Sequence, residues 1–125
     1  MANPNIVNVT AIYGNTSSTL LTSTSATSIV SNSASSGKIF KINTLIVANV
    51  DGTNAADITI NLYSAAALGG TATAIASTIS VPADASIIIV DKTTGLYLLE
   101  DKSIGAIASA ANDLVVTCSW EEINS

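Results

Sequence analysis

Between residues 57 and 63 the sequence is Asp57-Ile58-Thr59-Ile60-Asn61-Leu62-Tyr63, and its polar and apolar side chains alternate without interruption. Successive side chains of a β-strand point to opposite faces of the sheet. The alternation therefore predicts a strand that places Ile58, Ile60 and Leu62 on one buried face.

Runs on either side of this segment repeat the period of two. Towards the C-terminus, one predicted face carries Leu114, Val116, Cys118 and Trp120. Towards the N-terminus, the even-numbered residues after Phe40 are apolar, and the predicted buried face carries Ile42, Ile46, Ala48 and Val50. The opposite face is then expected to carry Lys41, Asn43 and Asn49.

Further apolar runs add more candidate strands. One predicted strand is lined by Ile75, Ile79 and Val81, with Ser77 as a polar interruption. Residues 87–90 are continuously apolar, which favours a short strand that is covered on both sides. Shorter candidates lie at residues 6–13, 19–22, 27–30, 96–99 and 103–108.

Turn-forming residues separate these runs, at 13–15, 36–37, 51–52, 69–70, 82–84 and 94–95. Eight or nine short strands about ten residues apart are typical of a single antiparallel β-sandwich or jelly roll, so we predict an all-β fold. Residues 64–68 and 106–111 contain good helix formers. Both are too short for an independent helix, and at most a single helical turn is expected in either.

The length of 125 residues predicts one domain. We expect residues 1–18 to be an N-terminal segment, an extended arm in this interpretation, and residues 19–125 to form the β-sandwich. Residues 14–37 are the most polar part of the chain, and we expect them to form a loop or an adaptable arm that contacts neighbouring molecules.

Charge is the unusual feature of the composition. Only 10% of the residues are charged, with 9 acidic and 4 basic side chains, whereas about 25% is usual. A folded monomer of 12.6 kDa exposes about 6,000 Å², so one charge is expected for about every 450–500 Å². Counted in the sequence, 17 Ser, 15 Thr and 11 Asn supply most of the remaining polarity.

Several functions are disfavoured by what is missing. The sequence has no His and no Arg, and its four lysines are scattered over a chain of net charge −5, so we expect no nucleic-acid partner. No apolar run is long enough to cross a membrane, and the N-terminus has no signal peptide pattern, so no membrane partner is expected.

Catalysis is not expected either. Glu121 and Glu122 are neighbours on a predicted strand, so they point to opposite faces, and the Glu100-Asp101 pair is expected in a solvated turn. The sequence therefore indicates no enzyme and no catalytic or cofactor-binding residue.

Three weaker candidate sites remain, each beside a structural explanation. Cys118 is either a buried core residue, which we favour, or a reactive thiol. Oxygen ligands around Asp51-Gly52-Thr53-Asn54 and Asp57 suggest a cation site, but a plain hairpin turn is favoured and no metal is expected. Tyr63 and Tyr97 are expected to face outward, as surface tyrosines or as a sugar-binding platform, whereas Phe40 and Trp120 are expected in the core.

The order of short motifs between Thr19 and Ile123 resembles a known group of proteins. The motifs are Thr19-Leu20-Leu21-Thr22; Gly37-Lys38-Ile39-Phe40-Lys41-Ile42-Asn43-Thr44-Leu45-Ile46-Val47-Ala48-Asn49; Ala56-Asp57-Ile58-Thr59-Ile60-Asn61-Leu62-Tyr63; Ile79-Ser80-Val81-Pro82-Ala83-Asp84-Ala85; Gly95-Leu96-Tyr97-Leu98-Leu99-Glu100; Asp101-Lys102-Ser103-Ile104; Ala108-Ser109-Ala110-Ala111-Asn112-Asp113-Leu114-Val115-Val116-Thr117; and Ser119-Trp120-Glu121-Glu122-Ile123. This series is similar to that of the small β-sandwich virion structural proteins of tailed bacteriophages, cyanophages included. It covers about four-fifths of the chain and departs from the pattern where Asp101, rather than a glycine, follows Glu100.

The resemblance implies a virion structural protein, assembled in the host cytoplasm, that binds the major capsid protein or other virion proteins. The leading hypothesis is a capsid decoration or cement protein that is a homo-oligomer, with a trimer as the expected order. The alternatives are a neck or tail component, such as an adaptor or fibre-attachment module, and a host-surface carbohydrate-binding module.

Overall fold

The computed structural model describes residues 6–124, which form nine β-strands and no helix. The strands are β1 (Ala11–Leu20), β2 (Thr27–Asn32), β3 (Lys38–Asn49), β4 (Ala56–Ala65), β5 (Gly69–Val81), β6 (Ser86–Val90), β7 (Leu96–Leu98), β8 (Lys102–Ala108) and β9 (Leu114–Asn124). Within residues 6–124 there is accordingly no helix of the length and apolarity that crossing a membrane requires. The predicted all-β class is confirmed.

The strands pair antiparallel in two sheets. The first sheet has the order β1-β9-β3-β6, with β7 also paired to β3, and the second has the order β2-β8-β4-β5. Strands β6 and β7 pair with different parts of β3. If β6 and β7 are counted together as the sixth strand, β8 becomes the seventh strand and β9 the eighth. The two sheets then have the orders 1-8-3-6 and 2-7-4-5, which is the arrangement of an eight-stranded jelly roll.

The core lies between the two sheets and follows the predicted alternation in β4 and β9. Ile58 and Ile60 are fully buried, as are Leu114, Val116 and Cys118. Burial of an Ile or Leu side chain contributes roughly 1.5–3 kcal/mol, so these residues supply much of the driving force for folding. The rings of Phe40 and Trp120 pack with their centroids 6.0 Å apart; Phe40 is buried in the core, as predicted, and Trp120 is partly buried against it.

A β-bulge in β3 reverses the predicted faces of its second half. The register against β9 shifts between Ile42 and Thr44, so one extra residue is inserted there. Beyond the bulge the buried residues are Leu45, Val47 and Asn49. The prediction that Ile46, Ala48 and Val50 face the core and Asn49 faces outward was therefore wrong, because it assumed an unbroken period of two.

Strands β5 and β6 are edge strands, which changes the expected burial of their apolar residues. The register of β5 against β4 shifts at three places, and Ile75 and Ile79 lie at the surface while Ala76 and Val81 are buried. Ile88 in β6 is 63% exposed, so the prediction that residues 87–90 are covered on both sides was wrong. A run of apolar residues does not reveal whether its strand lies at the edge of a sheet.

The polar segment 14–18 belongs to a strand and not to an arm. Its residues lie inside β1, which pairs with β9 over ten consecutive residues, so the expected boundary between residues 18 and 19 falls within the sandwich. Hydroxyl groups support the pairing, because Thr16 Oγ1 donates to Ser119 Oγ (3.3 Å) and Ser18 Oγ lies 2.6 Å from Thr117 Oγ1. Residues 1–5 of the expected N-terminal segment, and residue 125, lie outside the described residues.

The connection between β4 and β5 folds back over the second sheet. Ala67 and Leu68 have positive φ angles of 55° and 61°, so residues 66–68 form a tight turn instead of a helical turn, and residues 64 and 65 complete β4. The hydroxyl of Ser103 accepts a hydrogen bond from the Leu68 amide and donates one to the Ala65 carbonyl. Residues 106–108, in the second helix-forming segment, complete β8.

The Glu100-Asp101 pair joins loops and is not a solvated turn. Glu100 is buried, and its Oε2 accepts a hydrogen bond from the Gly37 amide at 3.2 Å. Asp101 Oδ1 accepts one from the Ala66 amide at 3.0 Å. The prediction of solvent exposure was wrong because adjacent loops close over these carboxylates.

Candidate protein–protein interface

The outward face of the first sheet is built by the residues between the core positions. In β9 the buried residues Leu114 and Val116 place Val115 and Thr117 outward, and in β3 the buried residues Leu45 and Val47 place Ile46 and Ala48 outward. The register sets Thr117 beside Ile46 and Val115 beside Ala48.

The edge strands extend this face on both sides. Leu20 of β1 lies opposite Val115, and Ile88 of β6 lies opposite Ile46. Five apolar side chains thus gather at one end of the outward face, and we call this group the apolar patch: Leu20, Ile46, Ala48, Ile88 and Val115. Ile88 and Leu20 are the most exposed members, at 63% and 42%.

A band of hydroxyl side chains borders the apolar patch. It consists of Thr16, Ser18, Thr44, Thr117 and Ser119, which lie on the same face of β1, β3 and β9. The first charged residues of this face come one step further along, where Glu121 lies opposite Lys41. The apolar patch and the hydroxyl band therefore form a neutral area across the sheet, of the kind found at the centre of protein interfaces, where charged residues are depleted.

Charged side chains are concentrated at the two ends of the sandwich. The end at which β3 and β5 finish carries four aspartates in or beside its loops and no lysine: Asp51, Asp57, Asp84 and Asp113. The other end carries both signs, and Lys38 Nζ lies 3.4 Å from Glu122 Oε2. Glu121, the neighbour of Glu122, accepts a long hydrogen bond (3.4 Å) from Asn43 Nδ2.

The two candidate sugar-binding tyrosines are not brought together. Tyr97 is 42% exposed on β7 of the first sheet, as predicted, but Tyr63 is only 8% exposed on β4 of the second sheet. The outward prediction for Tyr63 was wrong because the β4–β5 turn covers its ring. A shallow pocket beside it has a volume of about 180 Å³, smaller than the roughly 300 Å³ at which ligand pockets begin. Its lining is Leu62, Tyr63, Ser64, Thr71, Thr73 and Lys102.

Cys118 is a core residue, as the sequence favoured. Its side chain is fully buried, and burial raises the pKa of the thiol to about 12. A thiolate is the reactive form, so this thiol is inert in the folded protein near neutral pH.

The acidic turn around Asp51 uses its carboxylate to hold its own backbone. Asp51 Oδ1 accepts a hydrogen bond from the Thr53 amide (2.8 Å), and Oδ2 accepts one from Asn54 Nδ2 (3.3 Å). The Thr53 amide keeps the pKa of this carboxyl below its usual value. Across residues 6–124, no three side chains of the types His, Cys, Asp and Glu lie together so as to hold a metal ion.

Comparisons with known proteins support the fold. The chain resembles a chain from Bacillus endospore appendages, which form a family of disulfide-linked pili; the two are 16% identical, with a TM-score of 0.54 over 100% of this chain and 93% of that one. A chain from the structure of infectious bursal disease virus, Gx strain, is 11% identical, with a TM-score of 0.36 over 91% of this chain and 42% of that one. No family model and no curated protein matches the chain.

These observations define a jelly-roll β-sandwich whose candidate site is a flat neutral face and not a cleft. Sequence reasoning missed this face because the bulge in β3 turns Ile46 and Ala48 outward, beside Val115. A signal was present, since every second residue of 115–119 had to face away from the core.

Proposed function

We propose that this chain is a non-enzymatic structural protein of a tailed-phage virion, a capsid decoration protein that binds the outside of the head. The observation that carries the proposal is the neutral outward face of the first sheet, with its apolar patch and its band of hydroxyl groups. Such a face can be packed against a protein lattice without burying an unpaired charge, which would cost several kcal/mol.

Assembly through this face is non-covalent. The endospore appendages that share the fold form disulfide-linked pili. This chain has a single cysteine, and Cys118 is fully buried with a raised thiol pKa, so it is not available for a link between subunits. Attachment must then rest on packing and hydrogen bonding, for which the hydroxyl band supplies donors and acceptors.

The test is addition of the purified protein to phage heads that lack it. We expect the protein to sediment with the heads and to raise the temperature at which they break open. No co-sedimentation, together with an unchanged disruption temperature, would refute decoration.

A pair of variants locates the attachment surface. Ile88→Lys places a charge in the apolar patch at a side chain that is already 63% exposed, so folding should be preserved while head binding falls at least tenfold. Ile75→Lys, on β5 of the second sheet, is the matched control because Ile75 is also a partly exposed edge residue. Equal binding of the two variants would exclude the apolar patch as the contact.

Copy number separates decoration from the alternative of a neck or tail component. Densitometry against the major capsid protein should give hundreds of copies per virion for a decoration protein and about a dozen or fewer for a neck protein. The trimer expected from the sequence is an alternative to the two-fold dimer inferred below, and native mass spectrometry distinguishes the two.

A further inference from the structure

Three of the four sheet edges are protected against pairing with another chain. Strand β5 is interrupted by three register shifts, and β2 is six residues long with one shift. Strand β6 has five residues and is followed directly by Asp91 and Lys92. Bulges, short strands and charges are the features by which proteins keep sheet edges from associating.

The fourth edge, β1, has none of these features. It is ten residues long, contains no charged residue and no proline, and pairs with β9 without a register shift. Within residues 6–124, β9 is the only strand hydrogen-bonded to it. A long, regular edge of this kind is a template for a further strand.

The hydrogen-bonding direction of β1 follows from the last step of its ladder. The amide of Leu21 donates to the carbonyl of Leu114 (2.9 Å), which continues the register of the Leu20–Val115 pair. Because residues of an antiparallel ladder alternate between bonded and outward-directed groups, the odd-numbered residues of β1 bond to β9. The even-numbered residues from 12 to 20 therefore direct their amides and carbonyls to the free edge.

We infer that β1 pairs with β1 of a second copy of this chain, antiparallel and about a two-fold axis at Thr16. In this register Thr16 lies opposite its own counterpart, and Ile12 lies opposite Leu20 of the other copy. Five pairs of even-numbered residues then exchange about ten hydrogen bonds, two for each pair. A two-fold contact of this kind closes on itself and leaves no further β1 edge free.

Two side-chain observations favour a second copy in this register. Ile12 and Leu20, which are 56% and 42% exposed, come to lie side by side on the outward face, so each covers the apolar surface of the other. On the opposite face, Asn15 of one copy lies beside Ser17 of the other. The Ser17 hydroxyl is buried and has no hydrogen-bond partner among the described residues, and the Asn15 amide can supply one.

The absence of charge along β1 fits self-pairing. A two-fold axis places the residues beside it near copies of themselves, so a charged residue close to the axis would face a like charge. The pairing also deepens the proposed function, on which this further step rests. Because both copies then belong to one continuous sheet, their outward faces and apolar patches lie on the same side of the dimer.

Charge variants at the axis test the contact in solution, without phage heads. The unchanged protein should have a mass of twice 12.6 kDa in native mass spectrometry. Thr16→Lys and Thr16→Glu should each be monomeric, with dimer dissociation constants at least tenfold higher, and a mixture of the two should regain a dimer containing one copy of each. Ser80→Lys and Ser80→Glu, on the β5 edge, should remain dimeric.

A monomer or trimer for the unchanged protein overturns the proposal, as does a mixture of the two Thr16 variants that does not associate. Because these measurements need no capsid, their failure is distinguishable from failure of the head-binding test.

A cross-link keeps the proposal testable if the charged variants do not fold. Directly opposed, hydrogen-bonded residues have Cα atoms about 5.5 Å apart, within the range that a disulfide spans. Thr16→Cys should therefore give a covalent dimer on mild oxidation, while Ser80→Cys, an exposed cysteine on the other edge, should remain mostly without a covalent link. Equal cross-linking of both variants indicates random collision and overturns the register.

Discussion

Single neutral polar residues, in addition to Glu100 and Asp101, join loops to strands in this sandwich. Asn32 and Asn49 are both buried, and each uses its side-chain amide to bond two backbone carbonyls. A buried amide that satisfies several backbone groups joins loops to strands without the desolvation cost of a charge. Sequence patterns alone do not distinguish such an Asn from an exposed one.

Substitution of Asn49 tests how much these buried hydrogen bonds stabilise the fold. Its Nδ2 donates to the carbonyls of Asn54 and Val81 (both 2.9 Å), and its Oδ1 accepts from the Asp51 amide (2.9 Å). We expect Asn49→Ala to lower the free energy of unfolding by about 1–3 kcal/mol, because it leaves these backbone groups without their partner. Denaturant unfolding followed by circular dichroism measures the loss.

Asn43 is the matched control for that measurement. The sequence placed both asparagines on the same outward face, but Asn43 is half-buried and makes one long bond to Glu121 (3.4 Å). Asn43→Ala should therefore cost less than about 1 kcal/mol. If the two substitutions cost the same, the buried bonds of Asn49 are not what stabilises this end of the sandwich.

Among the elements, the alternating strands could be predicted and the irregular ones could not. Burial alternates without interruption in β4 as far as Ile60 and in β9 as far as Cys118, so counting every second residue found Ile58 and Val116 correctly. The count failed at Ile46 because the bulge in β3 inserts one residue, and at Ile88 because burial on both sides depends on neighbouring strands that are distant in sequence. Local periodicity contains neither piece of information.

The candidate interface was unpredictable for the same reason. Its apolar patch takes residues from β1, β3, β6 and β9, which meet only through the strand order of the first sheet. The composition showed only that charged residues are few. Once the strand register is known, this scarcity explains why the face is neutral.

The packing of the β4–β5 turn over the second sheet can be tested at Gly105. A Cβ atom added at Gly105 would lie 2.6 Å from Leu68 Cδ2 and 2.8 Å from Tyr63 Cε2, so the turn could not close over the sheet without shifting. We expect Gly105→Ala to destabilise the protein by about 1–3 kcal/mol through overpacking. Gly14→Ala, in a strand position with no atom within 4 Å of the new Cβ, is the control and should be near neutral. A neutral Gly105→Ala would mean that the turn moves away at little cost.

Across the whole molecule, the few charged side chains are unevenly distributed. The surface of 6086 Å² shared among 13 charged side chains gives about 470 Å² for each, close to the spacing expected from the mass. The spacing is uneven, because strands β1, β2, β5 and β6 contain no charged residue. The neutral area of the first sheet suits packing against other proteins, and the charged loops suit exposure to water.

Acid stability follows from two aspartates in the charged loops. Thr53 donates its amide to the Asp51 carboxylate, and Thr93 donates its hydroxyl and amide to the Asp91 carboxylate, so both pKa values lie below the usual 3.8. A carboxyl whose pKa is lowered by folding stabilises the protein above its unfolded pKa, and this stability is lost as the pH falls through the lower folded value. We therefore expect the contribution of these turns to be complete at pH 7, to begin to fall near pH 3.8 and to disappear only below the lowered pKa values of the folded state.

The double variant Asp51→Ala with Asp91→Ala removes this contribution, and Asp91→Ala alone removes the part of Asp91 without changing the repulsion among the four aspartates at one end of the sandwich. The melting temperature of the double variant should lie below that of the unchanged protein at pH 7, and the two should converge as the pH is lowered to about 2.5. Thermal unfolding followed by circular dichroism across this range gives both curves. A difference that stays constant with pH would mean that the turns are held by their backbone geometry, because protonation of Asp51 and Asp91 would then have no effect on folding.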